Sequence, residues 1–149
     1  MIGLAADHAG FELKEKIHAL LTQMKYDVHD FGANSTASVD YPDFAHPLAA
    51  ALEEKKIQFG IACCGTGNGM AITLNKHSGV RAGLCWSVEV ASLIRRHNDA
   101  NACVLPARFV SEALALEMVK VFLTTPFEGD RHQRRVDKIA QNSNHAKNV

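Results

Sequence analysis

Residues 57–75, IQFGIACCGTGNGMAITLN, decide how the chain folds. Ile57–Cys63 is a short apolar run bounded by polar and small residues, the pattern of a buried strand. A Gly-rich turn follows at once, and Thr66–Asn75 reads as that turn running into a helix. Strand, tight turn and helix together form the unit from which parallel α/β sheets are built.

The same alternation continues on both sides. Upstream, Ile2–Ala6 reads as a strand. Glu12–Met24 reads as a helix with Leu13, Ile17, Leu20, Leu21 and Met24 on one face. Tyr26–Phe31 reads as a second strand, Gly32–Val39 as a loop and Tyr41–Glu54 as a helix with Pro42 tolerated in its first turn. Downstream, Val80–Cys85 and Ala102–Leu105 are the fourth and fifth strands, with a helix over Val88–His97 between them. Ser111–Leu123 is a helix that Ser111 can cap. Thr124–Gly129 breaks the chain, Asp130–Gln141 is a last helix, and Asn142–Val149 is expected to fray. These elements predict one α/β/α three-layer domain over residues 1–149, with a five-stranded parallel, doubly wound, Rossmann-like sheet. Ligands of such sheets bind beyond the carboxyl ends of the strands.

Bulk properties exclude several classes. Of 149 residues, 47% are hydrophobic and 21% charged, with 16 basic and 16 acidic side chains. That is a globular balance of zero formal charge, which favours neither nucleic acid nor a membrane surface as the partner. The sequence shows no signal-peptide pattern and no run of spanning length. Cys63, Cys64, Cys85 and Cys103 form no C-x-x-C, which points to reduced thiols and a cytoplasmic setting. No His, Cys, Asp and Glu set has metal-ligand spacing, so neither metal nor cofactor is expected.

At the predicted strand ends stand Asp7-His8-Ala9-Gly10 and Cys64-Gly65-Thr66-Gly67-Asn68-Gly69. The second lacks the Lys-Ser/Thr of a phosphate loop and is a poor dinucleotide fingerprint. As a bare glycine turn it is as readily structural as functional. Cys64 shifts that balance, because a cysteine ahead of a helix N-terminus favours the thiolate. A thiolate beside backbone N–H groups can take a proton α to a carbonyl while those groups hold the enediolate oxygen. Cys63, pointing the other way along the strand, reads as core. His97 and Asn98 fit either a helix C-cap or a site. They precede the fifth strand, so a catalytic role would have to be in a partner's site. Arg131 and Arg135 are i and i+4 on one face, suited to a phosphate or to water. A basic start opposes the helix dipole, which favours a bound anion.

These segments, with Asp40-Tyr41-Pro42, Asn75-Lys76, Gly79-Val80-Arg81-Ala82, His97-Asn98-Asp99-Ala100-Asn101 and Glu128-Gly129-Asp130-Arg131-His132, resemble the type B ribose-5-phosphate isomerase family. That family also includes the galactose- and allose-6-phosphate isomerases. The resemblance runs in order from residue 5 to about residue 137. It implies an aldose–ketose isomerase acting on a small-molecule sugar phosphate. It also implies a homodimer or dimer of dimers with shared active sites. By position it makes Cys64 the base and gives the enediolate to Thr66 and the backbone of Gly65, Gly67, Asn68 and Gly69. Asp7 and His97 would handle ring opening and hydroxyls, and Asn98 a substrate oxygen. His8, Arg108, Arg131 and Arg135 would bind phosphate, and Tyr41 would line the sugar. Asp130 stands where the family commonly has Gly, and Asn68 where it commonly has an apolar residue. Two alternatives remain open: the same chemistry on allose or galactose 6-phosphate, and a non-catalytic sugar-phosphate sensor.

Overall fold

The computed structural model describes residues 1–139. Five strands, β1 (Ile2–Ala6), β2 (Val28–Asp30), β3 (Phe59–Cys64), β4 (Ala82–Leu84) and β5 (Ala102–Pro106), form one parallel sheet in the order β2-β1-β3-β5-β4. Six helices connect and flank them: α1 (Phe11–Gln23), α2 (Pro42–Glu53), α3 (Asn68–Leu74), α4 (Val88–Asn98), α5 (Glu112–Thr124) and α6 (Arg131–Ile139). The expected α/β/α class is therefore the observed one. The tail expected over 142–149, and the last residues of the expected final helix, lie outside the described residues.

The three central strands are almost wholly buried, because helices cover both faces of the sheet. One core packs Leu4, Ile61, Cys63 and Leu105 against α1, α4 and α5. The other packs Ala5, Ala62, Cys64 and Val104 against α2 and α3. Successive residues of β3 alternate between these cores, so Cys63 and Cys64 face opposite layers as strand geometry requires. Lys14 of α1, 1% exposed, is held by Asp30 of β2 and by Glu15. That charge pairing makes the burial of an ammonium group tolerable.

The two edge strands are shorter than the apolar runs suggested. Tyr26 is drawn off β2 because its N–H closes the end of α1 on the Leu21 carbonyl. Val80 is drawn off β4 because its N–H bonds the His77 carbonyl in a turn. The turn expected at the start of Thr66–Asn75 runs into α3 at Asn68, with Gly67 at its N-cap at φ 77 in the left-handed region.

Two features of the topology place the site. The chain turns from β1 to β2 on one side and to β3 on the other, so a crevice opens beyond the carboxyl ends of β1 and β3. Strand β5 inserts between β3 and β4, which brings the segment after Pro106 beside the segment after Cys64.

Candidate active site

The Cys64 side of the site is built largely from backbone. Cys64 ends β3, 4% exposed, with Gly65, Thr66 and Gly67 turning away from it into α3. Gly67 and Gly10 each meet a tight approach. A Cβ on Gly67 would lie 2.3 Å from Leu84 Cδ1, and one on Gly10 would lie 2.5 Å from the Cys63 carbonyl oxygen. The Asn68 N–H donates to Thr66 Oγ1 at 3.3 Å. The N–H groups of Thr66, Gly67 and Gly69 donate to nothing among the described residues. Unpaired backbone donors next to a thiol are the kind of group that can hold a developing oxyanion.

Neighbouring strand ends add side chains to this edge. Asp7 follows β1, and its N–H reaches the Cys63 carbonyl at 3.3 Å. Its Oδ1 accepts from the N–H groups of Ala9 and Gly10 at 2.9 and 3.0 Å, which fixes the turn that carries His8. The half-buried His8 ring sits with Nδ1 3.2 Å from the backbone N and O of Val39. Tyr41 lies against the glycine loop, since a Cβ on Gly69 would meet its ring at 2.6 Å. Arg108 follows β5 and bonds through its N–H to the Gly65 carbonyl at 3.0 Å, with its guanidinium beside Gly65. Asp7, His8, Tyr41, Cys64, Thr66, Asn68 and Arg108 therefore share one edge. Burial pushes the Cys63 thiol up, with the neighbouring Cys64 adding to the shift. Cys63 is thus an inert core thiol.

The other predicted residues are not there. His97 and Asn98 end α4 at the amino edge, where Arg81 Nε donates to the carbonyls of Asn98 and Asp99. Arg131 and Arg135 open α6, both exposed, and α6 packs beside α4. The Glu128 N–H ties the two segments together by donating to the Arg96 carbonyl at 3.0 Å. In the sheet register Gly60 pairs with Ala102 and Cys64 with Pro106, so the length of β3 separates the two groups. A strand of that length spans roughly 17 Å. A cavity of about 610 Å³ also opens at the amino edge, beside Arg81, Ile94 and Asn98.

The sequence reading passed over one cluster. The ring of buried His132 stacks on His97 with centroids 4.2 Å apart and planes at 10°. Glu128 Oε2 lies 3.4 Å from His132 Nε2 and 3.8 Å from His97 Nε2. The Arg96 guanidinium beside Glu128 holds its carboxyl below the usual range. Burial, with His97 and Arg131 nearby, holds the His132 ring below the usual histidine value. In the sequence Glu128 and His132 stand i, i+4 within the Glu128–His132 segment, with nothing to mark them for a role. Their meeting with His97 depends on tertiary packing.

Known proteins resemble this chain over nearly its whole length. A family model described as Ribose/Galactose Isomerase matches residues 2–139. The ribose-5-phosphate isomerase B of Escherichia coli K12 is 40% identical over 138 residues, 93% of each chain. The crystal structure of a ribose 5-phosphate isomerase from Thermotoga maritima superposes with a TM-score of 0.93 at 46% identity, over 95% of this chain and 97% of that one. The Mycoplasma genitalium ribose-5-phosphate isomerase B, solved with bound ribulose 5-phosphate, superposes with a TM-score of 0.89 at 40% identity, over 99% and 97%. Among the described residues, no helix is long and apolar enough to cross a membrane.

Proposed function

The chain belongs to the ribose/galactose isomerase family, and on that premise we propose that it interconverts ribose 5-phosphate and ribulose 5-phosphate through a cis-enediolate. The observation that carries this reading is Cys64 at the end of β3 with unused loop N–H groups beside it. The Cys64 thiolate takes the proton from C2 of the open-chain aldose. The electron pair forms the C1=C2 bond, and charge moves onto O1, held by the loop N–H groups and Thr66. The proton returns at C1 while the O2 hydroxyl gives up its proton and O1 gains one, which yields the ketose.

His97 serves a neighbouring chain's Cys64, because the two residues of one chain lie at opposite edges. The active assembly is therefore a homodimer, or a dimer of such dimers. It would bring Cys64, Asp7, His8, Tyr41 and Arg108 of one subunit to His97, Asn98, Arg131 and Arg135 of the next. Ile72, Trp86 and Phe109 support the pairing. Each is more than 60% exposed on segments at or just beyond the carboxyl edge, a costly arrangement unless a subunit covers them. Two guanidinium forks from one subunit and a third from the other would clamp the phosphate.

The test is isomerisation of ribose 5-phosphate by purified, chelator-treated chain, beside allose and galactose 6-phosphates. The expected result is turnover without added metal and kcat/KM highest for the pentose. Preference for a hexose phosphate would keep the chemistry and change the substrate. Binding of all three without turnover would make the protein a sensor.

A further inference from the structure

The proposed chemistry leaves Glu128 and His132 without a task, yet both are turned on His97. Glu128 is held in place twice by Arg96. Its N–H donates to the Arg96 carbonyl, and its Oε1 accepts from Arg96 Nε at 2.6 Å. Oε2 is left facing both imidazoles. His132 Nε2 is buried and has no hydrogen-bond partner among the described residues. A buried polar atom in that position needs a reason.

A cation is one candidate, since the three ligand atoms fall within 4.8 Å of one another. Ring geometry argues against it. A metal bonds imidazole nitrogen in the ring plane, and two nearly parallel rings point their lone pairs side by side, not at one point. Arg96, Arg131 and Arg135 add repulsion.

We infer that Glu128 and His132 are positioning residues for His97. This rests on the reading above, in which His97 opens the sugar ring in the partner's site. His132 forms a flat wall that stops the His97 ring from rotating. Glu128 Oε2 attracts the Nε2 side of His97 at 3.8 Å, beyond hydrogen-bond length but within ion-pair range. In the neutral ring this favours the proton on Nε2 and leaves Nδ1 to meet substrate. The groups shown against the ring are Glu128 of the loop before α6 and His132 of α6. The stack also ties α6 to α4, so the phosphate arginines and His97 keep one spacing.

Ring opening breaks the C1–O4 bond of the furanose. Its electron pair goes to O4, which takes a proton, while O1 loses its proton and C1=O forms. Ribulose 5-phosphate has no such step, because the C5 oxygen that would close a five-membered ring is esterified. Starting from the ketose, the enzyme can release open-chain aldose, which closes unaided in water. A positioning defect at His97 therefore acts unequally on the two directions.

The experiment measures initial rates in both directions for wild type, Glu128→Gln, Glu128→Asp and His132→Phe, with folding checked by thermal unfolding. Glu128→Gln should lower the ribose 5-phosphate rate about tenfold or more, chiefly in kcat, with the ribulose 5-phosphate rate within about threefold of wild type. Glu128→Asp should fall between. His132→Phe keeps a stacking wall without the nitrogen and should lose less than Glu128→Gln. Equal losses in both directions, or no loss in either for any folded variant, overturns the inference. A wild-type chain inactive on both sugars would instead overturn the functional reading.

Discussion

The carboxyl and amino edges of this sheet carry the two halves of the proposed site and are made of different material. At the carboxyl edge the proposed binding groups are mostly backbone, the unpaired N–H groups of Thr66, Gly67 and Gly69 beside Cys64. At the amino edge side chains do it, with His97, Asn98, Arg131 and Arg135 at the ends of two helices and Glu128 and His132 behind them. A backbone site must be contiguous and rich in glycine, because only closely spaced residues can turn their N–H groups inward together. A side-chain site can draw on residues more than thirty positions apart. The first leaves a compact motif in the sequence, and the second leaves scattered polar letters.

The largest expected effect belongs to the carboxyl edge. Cys64→Ala should lower kcat by about 10²–10⁴-fold, the typical worth of a positioned base, while ribose 5-phosphate still binds. Cys63→Ala should leave turnover largely intact. An alkylating reagent should modify Cys64 before Cys63, whose thiol is buried and pushed up. Equal losses from the two substitutions would break the division of labour along β3.

Arg131→Ala and Arg135→Ala probe the other edge. Each removes charge-assisted hydrogen bonds worth roughly 1.5–3 kcal/mol, so KM should rise about ten- to hundredfold. The loss in kcat should be smaller, because the phosphate is remote from the bonds that change. Unchanged KM in both variants would make these arginines ordinary surface charges.

Joining the two edges gives a smaller number. Cys64→Ala and His97→Ala chains, each inactive alone, should regain about a quarter of wild-type activity when refolded together. Half of randomly mixed dimers are hybrids, and each hybrid has one site with both residues intact and one with neither. No recovery despite proven hybrids would mean that each site is complete within one chain.

The smallest effect is on stability. His132 holds its proton less tightly when folded than when unfolded. Acid therefore favours the unfolded chain, and the stabilisation present above about pH 6.5 is lost as pH falls through the lower folded value. Thermal unfolding at pH 7.5 and pH 5 should show this as a drop in Tm at the lower pH, reduced in His132→Phe. An identical acid response in that variant would place the sensitivity elsewhere.

The strands and helices were legible because burial on both faces demands apolar runs, and amphipathic helices repeat at their own period. The short edges of β2 and β4 were not. Tyr26 and Val80 are apolar enough for a strand, but their N–H groups are taken by the ends of preceding turns and helices. Cys64 and its loop were legible because residue type and spacing coincide in six adjacent positions. Glu128 and His132 were present in a motif but without a role, because nothing local shows that the final helix packs its first turn on the last turn of α4.

By itself the sequence determined the layer architecture, the placing of Cys64 ahead of a glycine-rich loop, and the opposition of Cys64 and His97 across the sheet. Each follows from short-range rules: alternation along a strand, glycine at tight turns, and the polarity of parallel connections. Only the tertiary structure decided that β5 slots between β3 and β4 and so brings Arg108 to Gly65. It alone decided that α6 lies against α4 and stacks His132 on His97. Those outcomes depend on which apolar faces meet across long stretches of chain, and no local spacing encodes that choice.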